Sequence, residues 1–310
     1  MSTVIAPPRI RDELLEILSQ GRDVDELLDR AAEASARRIE AKLPPHIRHS
    51  LRRSYELADR GPTNARTTGP KTVNNSFSRA DSTFNNLFAK LYVGAWVYPT
   101  DVCANGCAIV CSPFVTRIPF CLGYGNEVGG GAQSFWSGFY TGTAWQNTIG
   151  NGLTLNVWNY VAYQMWDANN WGLRSYYGVN GGPVGEGNSN QTGVANAAAG
   201  AGGVLTVGRR WDAGNATPNF PGYIAEVALW NNVFTDSTQW RHAQALGYGV
   251  SPLSLGRPNL VGYWPLMGAL AATEVDLSGN GRHLSQVGTC PTSPLHPPVN
   301  RSFAAISRRV

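Results

Sequence analysis

The chain has 310 residues, only 15% of them charged, a formal net charge of +4, and 35 Gly, 19 Pro and 10 Trp. A chain this long can bury a large core, and the profile is that of an all-β protein with many turns rather than a helical enzyme or a disordered tail. So mild a positive charge does not argue for nucleic acid, and no run approaches the ~20 apolar residues of a membrane-spanning helix.

The N terminus shows no basic start and no apolar run of a secretory signal, so unaided export is not expected. Residues 1–62 are predicted as three helices. Ile10, Leu14, Ile17 and Leu18 recur at helical spacing until Gly21. Asp23 and Glu26 are placed as in a capping box ahead of Val24, Leu27, Leu28 and Ala31. Ile47, Leu51, Tyr55 and Ala58 share a face before Gly61-Pro62. These stripes are narrow and must be buried against a neighbour, another copy or a foreign surface; docking on a partner protein is the expectation. Arg37, Arg38, Arg48, Arg52 and Arg53 form a basic cluster across the second and third helices. Solvation balanced by Asp23, Glu26, Asp29, Glu33 and Glu40 accounts for it most simply. An acidic partner surface is the functional alternative, ahead of DNA because no aromatic residues interleave.

Residues 63–75 are polar, interrupted by Gly69-Pro70, and predict a linker. Strand signals begin at Ser76. Over 88–98, Leu91, Val93, Ala95 and Val97 alternate with Tyr92, Gly94, Trp96 and Tyr98. Residues 108–115 and 118–124 predict further strands, and 125–152 is Gly-rich with many aromatics. A hairpin is expected over 157–166 and 171–181, then a low-complexity Gly/Asn/Ala loop over 185–203 and a short strand at 205–208. In the next strand Tyr223, Ala225, Val227 and Leu229 are expected on one face, and Ile224, Glu226, Ala228 and Trp230 on the other. Asp236 caps a short helix with Trp240, Ala243 and Leu246 inward. Residues 291–310 predict an extended tail, either loose or an arm pairing with a neighbouring subunit. The five cysteines are Cys103, Cys107, Cys111, Cys121 and Cys290. They have no Cys-x-x-Cys spacing and no His near the first three, so they are expected as small buried side chains rather than a zinc site. A Cys103–Cys107 bridge is left open.

Gly94-Ala95-Trp96-Val97, the strand ending Val179-Asn180-Gly181, Glu226-Val227, Gly262-Tyr263-Trp264-Pro265-Leu266 and Asp276-Leu277-Ser278-Gly279-Asn280-Gly281 come in an order that resembles the laminin-G-like, concanavalin-A-like jelly rolls. The resemblance covers 76–290. It implies a mainly β fold, a large antiparallel two-sheet jelly-roll sandwich with a small helical region before it. Ala225 stands where many relatives carry an acidic residue, which weakens a metal or acid site on that strand.

The superfamily includes glycoside hydrolases, which need two carboxylates ~5–9 Å apart. Glu226 has no acidic neighbour two residues away, and Glu127, Glu186, Asp167 and Asp212 fall in predicted loops, so no enzyme is expected. Aromatic faces stack on sugars and amides bond their hydroxyls. Trp136, Trp145, Trp166, Trp171 and Arg174 are therefore the candidate glycan-binding residues, whereas Trp96, Trp158, Trp230 and Trp264 are expected in the core. No cofactor is expected; calcium, common in relatives, needs clustered oxygen ligands that the sequence does not assemble. Helical anchor, linker and adhesive head together are similar to accessory virion proteins of tailed bacteriophages. The expectation is a non-enzymatic structural protein of the virion, assembled in a host cytoplasm, fixed by 1–62 to a major capsid or tail protein, with 76–290 projecting toward a surface glycan; a homo-oligomer is left open. The alternative is a cellular carbohydrate-binding lectin whose helices oligomerise.

Overall fold

The computed structural model describes residues 65–67, 75–81, 84, 91–112, 118–126, 131–140, 145–165, 172–182, 184–190, 204–209, 211–212, 215–216, 219–231, 236–255, 259–267, 272–293 and 295–299. The chain divides into two compact units, 1–59 with 302–309 and 60–301 with 310, and all described residues belong to the second. The helices expected over 1–62 lie outside the described residues.

Two antiparallel sheets form a sandwich. The first contains β1 (Ala65–Thr67), β3 (Leu91–Pro99), β8 (Asn159–Met165), β9 (Gly172–Val179), β10 (Gly185–Asn190), β14 (Gly222–Asn231), β15 (Leu260–Trp264) and β18 (Thr292–Ser293). Its order is β10-β9-β8-β3-β14-β1-β18, with β15 also paired to β14. The second contains β2 (Ser76–Ala80), β4 (Cys107–Ser112), β5 (Ile118–Tyr124), β6 (Ser134–Tyr140), β7 (Trp145–Gly152), β11 (Val204–Val207), β16 (Thr273–Glu274) and β17 (Leu284–Val287). Its order is β16-β17-β2-β11-β4-β5-β6-β7. A two-stranded ribbon, β12 (Trp211–Asp212) with β13 (Asn215–Ala216), the α-helix α1 (Asp236–Gly247) and a 3-10 turn at Pro252–Ser254 are also described.

The alternation expected in β3 holds. Leu91, Val93, Ala95 and Val97 enter the core between the sheets with Phe77, Ile109, Leu122 and Phe135. Tyr92 and Trp96 face the other way, into a second core with Trp158, Tyr160 and Trp230 beneath Ala243 and Leu246 of α1. The first sheet is thus covered on both faces, which is why its middle strands are apolar at nearly every position. All four tryptophans expected in the core are buried, but they divide between the two layers: Trp264 lies between the sheets, and Trp96, Trp158 and Trp230 lie under the helix. Burying each such ring contributes roughly 1.5–3 kcal/mol.

The alternation expected in β14 fails halfway along. A bulge falls between Ala225 and Ala228, with Glu226 at φ 55. Ile224 faces the inter-sheet core before it and Val227 and Leu229 after it, while Tyr223, Ala225, Ala228 and Trp230 face the helix side. One extra residue reverses the phase of everything beyond it. The bulge lies where the edge of β14 changes partner, from β1 at Tyr223 and Ile224 to β15 at Val227 onward. Glu226 gives its amide to the Pro265 carbonyl instead.

Two stretches expected to be irregular, and one given no assignment, contain strands. The aromatics of 125–152 sit mostly in β6 and β7, and the start of the 185–203 stretch is β10, paired residue for residue with β9. Tertiary pairing overrides the weak strand propensity of Gly and Asn here. Ala65–Thr67, expected within the linker, form β1, which joins β14 to β18. The tail therefore pairs with its own chain, at least over Thr292–Ser293.

Strand β1 is held by charge as well as pairing. Arg66 lies 2.6 Å from Glu274, with both side chains almost fully buried, and it donates to the Cys290 carbonyl at 2.5 Å and stacks over Phe77 at 5.6 Å. Replacing one member of a buried pair strands the other charge. Arg66→Met is expected to cost about 3–5 kcal/mol in urea unfolding, and the double change Arg66→Met, Glu274→Leu clearly less. Beside the pair, burial pushes the Cys290 thiol up to about 12 from 9.0, with Glu274 adding to the rise and Arg66 opposing it. The unfolded chain gives up this proton first, so the thiol's contribution is complete below pH 9 and falls away as pH rises toward 12. Stability measured across that window should fall less steeply in Cys290→Ser than in the parent chain.

Candidate functional site

The β14 bulge turns Glu226 toward the helix side of the first sheet, where three polar groups from distant parts of the chain meet. Glu226, 3% exposed, accepts a hydrogen bond from the Tyr263 hydroxyl on β15. Its other oxygen lies 3.1 Å from Nε2 of His296, whose Nδ1 is 2.7 Å from the Pro297 carbonyl. A carbonyl only accepts, so Nδ1 carries a hydrogen. The imidazole thus bridges the Glu226 carboxylate and the Pro297 carbonyl, and ties the 295–299 segment to the sheet. Val299 packs on the same aromatic cluster.

A small cavity adjoins Glu226, lined also by Gly94, Trp96, Tyr160, Trp230 and Leu246. The Tyr160 ring lies across Gly94, where an added Cβ would stand 2.5 Å from the phenol oxygen, and that oxygen bonds Tyr92 at 2.7 Å. The cavity admits a water-sized guest, not a sugar ring. With its carboxylate already bonded on both oxygens, this place acts as a structural bracket.

The Asp-Leu-Ser-Gly-Asn-Gly turn is a second bracket. Asp276 accepts from the amides of Tyr263, Ser278 and Arg282 at 3.0, 2.9 and 2.9 Å. Asn280 donates to the carbonyls of Leu260 and Val261, and the Trp264 indole donates to Arg282. Among the described residues no group of three His, Cys, Asp or Glu is placed to hold a metal ion.

Trp136, expected to offer a face to a sugar, does not. It stands in β6, 1% exposed, packed with Ala108, Cys111 and Cys121 on the side of the second sheet away from the main core. Its ring lies across Gly123, where an added Cβ would come within 2.2 Å of it. A ring so enclosed has no surface left for stacking. Its neighbour in register, Ile149 of β7, is 43% exposed. Trp145 occupies the first position of β7, opposite Tyr140, and Arg174 stands in β9 between Gln164 and Asn188. The two therefore belong to different sheets. Trp166 and Trp171, and the cluster Arg37, Arg38, Arg48, Arg52 and Arg53, lie outside the described residues. Sequence reasoning missed the bracket of Glu226, Tyr263 and His296. Its only signal was an acidic residue in an otherwise apolar strand; His296, 70 positions away, gave none.

Residues 71–238, just over half the chain, match the family described as the concanavalin A-like lectin/glucanases superfamily. No curated protein sequence matches. Among solved structures, a candidate carbohydrate-binding protein from Bacteroides ovatus is 17% identical with a TM-score of 0.49; the match covers 77% of this chain and 62% of that one. The CBM40 of the IT-sialidase from Ruminococcus gnavus is 14% identical over 55% of this chain and 94% of its own, with a TM-score of 0.42. Tailspike protein 2 of a bacteriophage of Escherichia coli O157:H7 is 14% identical over 67% of this chain and 29% of its own, with a TM-score of 0.41.

Tyr263→Phe removes one donor from the buried carboxylate and little else. It should cost about 1–3 kcal/mol in urea unfolding; a change within experimental error would show that the bracket adds nothing.

Proposed function

Since the chain belongs to the concanavalin A-like lectin/glucanase superfamily, we propose that its β-sandwich is a non-catalytic, glycan-binding head. The observation that carries this is the state of Glu226. Of the two activities in the superfamily's name, cleavage needs a carboxylate pair facing an open cleft with room for a sugar and a water. Glu226 instead accepts from Tyr263, lies against His296 and is closed off from solvent. The other buried carboxylates among the described residues are also engaged, Glu274 by Arg66 and Asp276 by three main-chain amides. Binding falls to loops and strand ends outside these brackets, with Trp145, Trp166, Trp171 and Arg174 the first residues to change.

We place this head on a virion, fixed through 1–62 to a capsid or tail protein. The support is the narrow apolar stripes of that region, which need a covering surface, together with the basic cluster from Arg37 to Arg53. A cellular lectin that oligomerises through the same helices is the rival.

Full-length protein applied to a glycan array and to soluble polysaccharides should be retained by a subset of glycans and release no reducing ends. Reducing-end release that disappears in Glu226→Gln would overturn the non-catalytic reading. Immunogold labelling with an antibody against 76–290 should decorate purified particles; a soluble protein never found with particles would favour the lectin.

A further inference from the structure

We propose that Cys111 and Cys121 are a dithiol set to close as a disulfide across strands β4 and β5. The two stand directly opposite each other in register. Val110, Phe120 and Leu122 beside them enter the main core, whereas Cys111 and Cys121 face the other side, in the small cluster with Ala108 and Trp136.

The kind of pairing decides whether the bond can form. The Gly208 amide donates to the Ile109 carbonyl, and the Thr206 hydroxyl to that of Cys111. Cys111, paired there with Thr206, thus turns its carbonyl toward β11 and away from Cys121, as does Ile109 at the β4 bulge with Gly208. The cysteine pair is therefore of the non-hydrogen-bonded kind, with Cα atoms about 4.5 Å apart and side chains close together. That separation falls within the roughly 4.4–6.8 Å that a disulfide spans. The three remaining cysteines have other surroundings: Cys103 and Cys107 are reduced thiols inside the main core, where Cys107 donates to the Tyr124 carbonyl, and Cys290 lies against Ser76.

Both thiols are reduced and 0% exposed. A small disulfide oxidant, such as oxidised glutathione, closes the pair in two exchanges. One cysteine thiolate attacks the oxidant and expels a glutathione thiolate; the second then attacks the mixed disulfide at the cysteine sulfur and expels the other. Two electrons and two protons leave the protein, and the oxidant departs as two thiols. Because Trp136 lies beside the pair, the first exchange waits on local opening and is slow. The dithiol is the form of a reducing cytoplasm and the disulfide that of an oxidising exterior. On the virion reading, the second sheet would be stapled after release from the host. That timing rests on the virion reading; the bond does not.

The full chain, folded and incubated overnight with oxidised glutathione, should lose two of its five thiols to alkylation in denaturant. Peptide mapping without reduction should recover Cys111 joined to Cys121, two hydrogens lighter than the dithiol. The melting temperature should rise by several degrees, reversibly with reductant. Cys111→Ser and Cys121→Ala should each abolish the rise; two separate changes guard against one that fails to fold. Five alkylatable thiols after oxidation, or linked peptides joining only other cysteines, would overturn the proposal. A disulfide found in a protein that never associates with particles would refute its timing and the virion reading while leaving the bond intact.

Discussion

The sandwich depends on a one-residue slip in its central strand. β14 pairs along its whole length with β3, but its other edge is shared between two short strands that arrive from opposite ends of the described chain. A regular strand could not serve both. The bulge at Glu226 lets the first part register with β1 and the second with β15, while apolar side chains still reach both cores. A non-glycine residue at φ 55 carries a backbone cost of about 1–3 kcal/mol, offset by the amide bond to Pro265 and by the two partners of the carboxylate.

This arrangement redistributes residues that look functional in isolation. Tryptophans beside Gly and Asn suggest a sugar platform, yet Trp136 lies flat on a glycine within the second sheet, and Trp96, Trp158 and Trp230 fill a layer beneath α1. Glycine at 94 and 123 exists to receive an aromatic ring from the next strand. Acidic residues follow the same logic. Glu226, Glu274 and Asp276 are buried, and each serves a main-chain or side-chain donor that would otherwise be stranded. What remains for recognition is the periphery, as in a scaffold whose loops carry the function.

Closure of the chain on itself is achieved by the ends of the described fold. β1 and β18 pair with each other, Arg66 reaches from one to the carbonyl of Cys290 beside the other, and His296 returns to Glu226. A stretch that reads as linker and one that reads as tail together seal the edge of the first sheet and the face beside α1.

The sequence by itself determined the class of fold, the alternation of β3, the helix after Asp236 and the burial of four tryptophans. The β character, the alternation and the helix follow from local period and composition, which report how much of a segment must leave water; the jelly-roll class and the buried tryptophans follow from the resemblance to a known family. Only the tertiary structure decided the phase of β14 beyond Glu226, the strands within 134–152 and 185–190, the joining of β1 to β18, and the enclosure of Trp136. These depend on which segment lies opposite which. A bulge adds a residue without altering hydrophobic pattern, a glycine-rich strand has no pattern to read, and a partner such as His296 is brought close only by the folded chain. The candidate glycan site shows the same limit: residue type suggested which rings could stack on a sugar, but register and packing decide which of them still have a face to offer.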